Sequence, residues 1–237
     1  MSRPMDANQY VLTHGMRRTR SVLSAWGENP WPVLRSWLAG AVLIALGLLG
    51  AVTLLATVLP PDVGFTYTPS IPQGPDLGRV LGVLGRNSLV LALHAVACIA
   101  GFIAGATLPL SAEQRTGLSR VIHEKARPIA FGWVIAVTCF SLITQAFALG
   151  LIGSTISWDV GISPALLVLT ALPHALLELT AVFLPLAAWT IASRRDAWDQ
   201  LLAATMVTVA MAIPMLVVAA AWEVHVWPYL LSAACNC

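Results

Sequence analysis

The chain has 237 residues, of which 58% are hydrophobic and only 10% are charged, and its mean hydropathy is +0.80. An ordinary soluble domain carries about 25% charged residues, so this composition excludes a soluble globular protein and indicates a polytopic membrane protein. The formal net charge is only +2, and the basic residues follow membrane topology, which leaves no support for nucleic-acid binding.

The first 34 residues are predicted to form a cytoplasmic amphipathic segment, followed by a membrane domain over residues 35–237. Residues 5–27 mix apolar and aromatic side chains with arginines, which is typical of a helix at the membrane surface. Asn29, Pro30 and Pro32 then favour a break. The segment lacks the short apolar core and small-residue cleavage site of a signal peptide, so we expect the first apolar run to stay as a span.

Five apolar runs are long enough to cross a bilayer, because a hydrocarbon core of about 30 Å needs about 20 helical residues. The second run is the least regular, since Arg86, Asn87 and His94 interrupt it. The sequence therefore predicts an all-α fold, a polytopic bundle of five transmembrane helices in contact with membrane lipid. The predicted spans are residues 37–59, 83–110, 129–153, 165–192 and 201–222.

Lysine and arginine are distributed unevenly between the two sides of these spans. Of the thirteen, only Arg79 and Arg86 lie on the side that follows the first span. The others precede the first span or lie between the second and third or the fourth and fifth. Short loops rich in Lys and Arg stay in the cytoplasm. We therefore expect a multi-pass protein of the inner (plasma) membrane with a cytoplasmic N-terminus and a C-terminus outside.

The outer segment, residues 60–78, is rich in proline and glycine. This composition disfavours a regular helix and favours an ordered or partly extended loop. Two interpretations are open: the segment contacts other membrane or envelope proteins, or it is a plain connector with restricted flexibility.

The inner segment, residues 111–128, differs from the other loops in its charge. A helix start at Ser111 and a narrow apolar stripe among charged residues predict a short amphipathic cytoplasmic helix. One interpretation is a docking surface for a cytoplasmic partner such as an ATPase, together with residues 194–200. The other is an interfacial helix that satisfies the positive-inside rule. The candidate docking residues are Arg115, Arg120, Lys125 and Arg127.

Ionisable side chains at membrane depth are the leading functional candidates, because a charge there costs roughly 2.5–3.5 kcal/mol on insertion scales. His174 and Glu178 lie four residues apart, on one helical face of the fourth run. His94 of the second run is expected at a depth similar to that of His174, with Glu178 deeper and Gln145 of the third run within reach. The predicted intramembrane polar cluster is His174, Glu178, His94, Asn87 and Arg86.

Three roles are open for this cluster: a packing role that fixes helix register, a substrate or ion path, and a catalytic or metal site. A metal is disfavoured because a catalytic zinc commonly takes three protein ligands and the chain lacks His-Glu-x-x-His. Phosphate-loop and nucleophile motifs are absent as well, so we expect no cofactor, no metal and no catalytic residue. Glu223 and His225, beside Trp222 and Trp227, are expected to anchor the outer boundary.

Three further residues are predicted to serve helix packing. Gly101 and Gly105 lie four residues apart in the second run, a spacing that lets helix backbones approach closely. Pro173, immediately before His174, is expected to bend the fourth helix and to leave nearby carbonyls without their usual donors.

Two segments resemble the stage II sporulation protein M family. Residues 172–189, LPHALLELTAVFLPLAAW, are similar to its Pro-His-Gly-x-x-Glu-Leu signature, and residues 86–105, RNSLVLALHAVACIAGFIAG, to its Asn-led span with a small-residue face. Ala175 stands where the family usually has Gly, and the Asn-Gly pair expected after the second span is missing. The motif residues that the resemblance carries over are Asn87, Gly101, Gly105, Pro173, His174, Glu178 and Leu179.

The resemblance implies a non-enzymatic membrane subunit without a cofactor. Named family members recruit or organise cell-wall-degrading partners, which implies a scaffold for cell-envelope remodelling. Similar proteins beside circular bacteriocin genes imply the alternative, a permease-like subunit that works with a cytoplasmic ATPase in peptide maturation or export. Either role is compatible with a homo-oligomer.

Overall fold

The computed structural model describes residues 7–67, 74, 76–103, 105 and 117–235, and these residues form helices and connecting loops without a strand. The prediction of an all-α fold is confirmed. A short 3-10 helix, Trp198–Gln200, precedes the sixth α-helix. The α-helices are α1 Ala7–Glu28, α2 Trp31–Val58, α3 Leu77–Phe102, α4 Leu118–Val160, α5 Pro164–Arg194, α6 Leu201–His225 and α7 Trp227–Cys235.

Among the described residues, five helical segments are long and apolar enough to cross a membrane, which confirms the predicted number of spans. They are Trp31–Val58, Leu77–Phe102, Gly132–Val160, Pro164–Arg194 and Trp198–His225. The first begins inside the predicted N-terminal segment. The placement of the N-terminus in the cytoplasm stays a prediction, so the two ends of the bundle are named here by composition. The basic end carries α1 and the α5–α6 connection, and the proline-rich end carries the α2–α3 and α4–α5 connections.

Helix α5 lies at the centre of the bundle, in contact with α2, α3 and α6. Its residues 179–189 are buried without interruption, so this stretch exposes very little surface. Such close packing requires small residues where the helices meet: a Cβ on Gly40 of α2 would lie 3.2 Å from the Cβ of Ala187. Helix α4, in contrast, packs mainly against α2 and leaves most of its surface exposed.

The proline-rich end is held together by side chains of the last turns of α4. Ser154 Oγ donates to the Leu59 carbonyl at 2.7 Å, and Thr155 Oγ1 accepts from the Asp62 amide at 2.9 Å. Asp159 Oδ2 accepts from the Tyr67 amide at 2.6 Å. These bonds fix residues 60–67, which are not helical, as expected for the proline-rich segment. Residues 68–73 and 75 lie outside the described residues.

The turn between α4 and α5 uses two local signals. Gly161 ends α4 with φ 69° and ψ 30°, a left-handed conformation that glycine adopts without a Cβ clash. Ser163 then caps α5, since its side chain accepts a hydrogen bond from the Leu166 amide at 3.2 Å, and Pro164 occupies the first helical position. The turn therefore places α5 beside α4 in the opposite direction.

The short inner helix predicted at residues 111–128 does not end at residue 128. Helix α4 begins at Leu118 and continues through Pro128 to Val160, so the inner helix and the third span are one helix. Pro128 removes the donor for one backbone carbonyl, but it is exposed near the basic end, where water can supply that donor. The α-helical part of α3 ends at Phe102, Ile103 and Gly105 are still helical, and the predicted end of the second span at residue 110 lies outside the described residues. Residues 106–116, including Ser111, lie outside the described residues.

Helix α1 packs across the basic end. Arg18 Nε lies 2.5 Å from Asp199 Oδ2 in the α5–α6 connection, and the Trp26 and Trp37 rings meet edge to face with centroids 5.1 Å apart. The expected surface helix is therefore attached to the bundle by an ion pair and an aromatic contact.

Candidate functional site

Helices α3 and α5 run side by side in the same direction, and their contacts give the register of the polar residues. Asn87 interacts with Glu178, and His94 lies against Phe183. Cys98 Sγ donates to the Pro185 carbonyl at 3.1 Å. The residue numbers of these pairs increase together on both helices, so the helices are parallel. The predicted polar residues therefore lie at different depths along one helix–helix interface, which we call levels.

The first level contains two carboxylates and one guanidinium, and we name it the Glu178 site: Glu178, Asn87, Arg86 and Glu223. Arg86 Nη2 lies 3.8 Å from Glu223 Oε1 of α6, and the Glu178 carboxyl interacts with Glu223, Arg86 and the Asn87 amide. Asn87 is only 7% exposed, and its Nδ2 makes no hydrogen bond of standard geometry to the described residues. The site therefore joins α3, α5 and α6 with more acid than base.

Arg86 is the most accessible member of the Glu178 site. Its side chain is 70% exposed, whereas that of Glu223 is 24% exposed. An ion pair of this geometry contributes little to stability because one partner remains solvated. The arrangement supplies charge compensation for Glu223 at the membrane boundary rather than a tight structural bond.

His174 lies nearer the proline-rich end than the Glu178 site. Its ring faces Trp227 with centroids 5.7 Å apart, and Trp227 Nε1 donates to Thr170 Oγ1 at 3.2 Å. The Nδ1 atom of His174 is buried and has no hydrogen-bond partner in the described part of the chain. Helix α7 thus folds back over His174 and covers it on the side of the proline-rich end.

Tyr67 extends the same aromatic cover. Its ring lies 6.4 Å from that of Trp227, and burial raises the pKa of the Tyr67 hydroxyl above its ordinary value of 10.0. The nearby Arg79 lowers this pKa and Glu223 raises it, both by smaller amounts than burial. The loop and α7 therefore cover the end of α5 that carries His174.

His94 occupies the deepest level. It is 1% exposed, its ring meets Phe183 edge to face at 5.5 Å, and its nitrogens face the backbone carbonyls of Val90 and Val182. Pro185 lies one turn further along α5, and a proline inside a helix disturbs the carbonyls of the preceding turn. His94 thus packs against the turn of the central helix that precedes Pro185.

The expected similar depth of His94 and His174 is wrong. His94 lies at the level of Phe183, and Phe183 is nine residues beyond His174 on α5, about 14 Å at 1.5 Å per residue. The sequence estimate took Arg86 and Asn87 as the boundary of the second span, whereas Asn87 lies at the level of Glu178, four residues beyond His174. Gln145 does not join the group either, because its Nε2 donates to Ser141 Oγ on its own helix at 2.9 Å.

Glu223 is the member of the Glu178 site that the sequence did not place there. It was expected to anchor the outer boundary beside Trp222, and its ion pair with Arg86 gives it a second contact across helices. A signal was present: Arg86 is one of only two basic residues on that side, and it interrupts an apolar run. A charge in that position needs a nearby partner.

The predicted packing residues lie at close contacts with aromatic rings. A Cβ on Gly101 would lie 2.7 Å from Trp189 Nε1, and one on Gly105 would lie 2.5 Å from Trp198 Cδ2. The two glycines therefore leave room for indole rings as well as for helix backbones. Pro173 is inside α5 and exposed.

The predicted docking residues lie before the third span. Arg120, Lys125 and Arg127 belong to the part of α4 that precedes residue 132, and Arg115 lies outside the described residues. The side chains of Arg120, Lys125 and Arg127 also lie outside the description. Among described residues, no group of three or more His, Cys, Asp or Glu side chains is placed to hold a metal ion.

Comparison with known proteins gives one family match. The family model described as "Stage II sporulation protein M" matches residues 126–228, which confirms the resemblance expected from the sequence. The matched range includes the segment 172–189 but not the segment 86–105. No curated protein and no solved structure matches the chain.

Proposed function

We propose that this chain, whose residues 126–228 match the family model of stage II sporulation protein M, acts as a non-enzymatic membrane subunit that organises a cell-envelope complex. The partners are other membrane or envelope proteins, including cell-wall-degrading enzymes. In this role the protein needs a rigid bundle and an exposed lateral surface, and the polar residues fix the register of the central helices.

The observation that carries the proposal is the burial of α5. Residues 179–189 are all buried among the neighbouring helices, so this stretch fills the axis of the bundle. A peptide permease needs a polar path along or beside that axis, and polar residues within membranes ordinarily line such paths. The levels of His174, Glu178 and His94 are instead separated by packed apolar side chains, which supports a structural role.

A lateral face for the partner is available on α4. Trp133, Phe140 and Phe147 follow one another at seven-residue intervals and are 68%, 72% and 53% exposed. Positions seven apart in a helix lie on one face. We name these three residues the α4 aromatic face and propose that the transmembrane helix of a partner protein packs on it.

Photo-crosslinking tests this proposal in cells. A benzoylphenylalanine placed at Phe140 is expected to capture a membrane or envelope protein, identified by mass spectrometry. The matched control is the same residue at Leu43 of α2, which is 70% exposed but outside the α4 aromatic face. Lipid alone at both positions would contradict the proposal, and so would the same captured proteins at both.

The alternative function is a permease-like subunit that works with a cytoplasmic ATPase in export or maturation of a peptide. One observation favours it: α4 begins at Leu118 and extends beyond the predicted span, which starts at residue 129, by about 17 Å of helix at 1.5 Å per residue. This extension carries Arg120, Lys125 and Arg127 and is continuous with the span, so a force applied to it reaches the membrane domain.

Purification from mild detergent separates the two functions. The scaffold predicts that wall-degrading enzymes are recovered with the tagged protein and that charge reversal at Arg120 and Lys125 has no effect on their yield. The permease predicts a nucleotide-binding ATPase that is lost in the same double variant. Charge reversal at Arg17 and Arg20 of α1 serves as the matched control, because it changes the same charge at the same end of the bundle.

A further inference from the structure

A groove between α2, α4 and α5 opens on the side of the bundle, in the half nearer the basic end. Its volume is about 380 Å³, within the range of roughly 300–1,000 Å³ typical of small-molecule sites. Ile44, Ile135, Leu142, Leu186 and Trp189 give it apolar walls. A groove of this kind in a lipid-facing surface accepts a hydrocarbon chain.

The polar side chains of the groove lie at its basic end. Arg194, in the last turn of α5, lines the groove and is exposed there. Ser193 Oγ is buried and has no hydrogen-bond partner in the described part of the chain. A guanidinium and an available hydroxyl beside an apolar wall match a phosphate group joined to an acyl chain.

The acids near the mouth of the groove have partners of their own. Asp199 is paired with Arg18, and Asp196 Oδ1 accepts a hydrogen bond from Trp198 Nε1 at 2.7 Å. Basic pockets between transmembrane helices attract the headgroups of anionic lipids. The mouth of the groove therefore keeps the positive charge of Arg194 at the basic end of the bundle.

We propose that this groove is a binding site for one anionic phospholipid of the adjacent leaflet. The acyl chain lies along the walls formed by α4 and α5, and the phosphate accepts hydrogen bonds from Arg194 and Ser193. The bound lipid fills the space between α4 and the central helix. It therefore forms part of the lateral surface that a partner protein contacts. The site does not depend on whether the partner is a wall-degrading enzyme or an ATPase.

Native mass spectrometry of the full chain tests the proposal, with phosphatidylglycerol and phosphatidylcholine of identical acyl chains as probes. The wild type is expected to retain one phosphatidylglycerol about fivefold more tightly than phosphatidylcholine, the contribution of one basic residue near a membrane surface. Arg194→Gln is expected to remove this preference. Arg195→Gln is the matched control, because Arg195 does not line the groove, and it is expected to keep most of the preference.

A second pair of variants tests the apolar walls. Ile135→Trp places a larger side chain in the groove and is expected to weaken retention of both lipids at least fivefold. Ile143→Trp makes the same substitution on the same helix at an exposed position outside the groove and is expected to retain both. Equal retention of the two lipids by the wild type would overturn the proposal, as would equal effects of the two arginine variants or of the two tryptophan variants.

Discussion

Gly101 is the position at which a single added methyl group tests the helix packing most sharply. A Cβ there would lie 2.7 Å from Trp189 Nε1 and 3.2 Å from Leu201 Cδ1. Trp189 is 6% exposed and Leu201 is fully buried, so neither can move away without disturbing the core. We expect Gly101→Ala to lower the free energy of unfolding by about 1–3 kcal/mol, the usual effect of overpacking.

The matched control is Gly85→Ala on the same helix. A Cβ at Gly85 meets no atom within 4 Å, and alanine favours a helix over glycine by roughly 0.5–1 kcal/mol. This variant is therefore expected to be as stable as the wild type or slightly more stable. Both are measured by unfolding in mixed micelles with increasing sodium dodecyl sulfate, followed by circular dichroism and tryptophan fluorescence.

Comparison of the two variants removes the contribution of helix propensity, which is the same for both. The remaining difference reports the space beside Trp189. If Gly101→Ala is as stable as Gly85→Ala, then α3 does not approach α5 at this level and the register derived from Asn87, His94 and Cys98 is wrong.

Three further predictions concern the proline-rich half of the bundle. Glu178→Gln is expected to fold normally but to recover less partner protein on co-purification; recovery at the wild-type level would show that its ionisation is dispensable. Arg86→Ala is expected to lower the free energy of unfolding by at most about 1 kcal/mol, because the 3.8 Å pair with Glu223 has a largely exposed partner; a loss above about 2 kcal/mol would contradict this. Burial raises the pKa of the Tyr67 hydroxyl, so this hydroxyl binds its proton more tightly in the folded state than in the unfolded state. The resulting contribution to the free energy of unfolding is lost as pH rises through the folded pKa. Between about pH 8 and 11 the thermal midpoint should fall less in Tyr67→Phe than in the wild type, and equal falls would exclude this contribution.

The number of spans could be predicted from sequence because each span needs about 20 apolar residues, a signal carried by the chain alone. The capped turn at Gly161 and Ser163 uses equally local signals. The bounds of the spans were less predictable. Helix α3 begins at Leu77, before its apolar run, and α4 continues through Pro128, because neighbouring helices and water satisfy the backbone there.

The candidate site was predictable in composition but not in arrangement. The contact between His94 and Phe183 places His94 about 14 Å beyond His174, and this register between α3 and α5 is not specified by any local pattern. The contact between Arg86 and Glu223 joins helices far apart in sequence, and no local pattern specifies it. The indole that fills the space beside Gly101 is likewise a property of tertiary packing.

Accessibility of α5 to water tests the central claim most directly. Single cysteines at Thr180, Ala181, Val182 and Phe183 sample all faces of one helical turn, in a chain whose four native cysteines are replaced. Membranes are treated with a charged, water-soluble methanethiosulfonate reagent, and a cysteine at Val63, which is 91% exposed, serves as the reactive control. An enclosed central helix predicts no labelling at any of the four positions, whereas rapid labelling at one or more of them would reveal a water-filled path and contradict the scaffold.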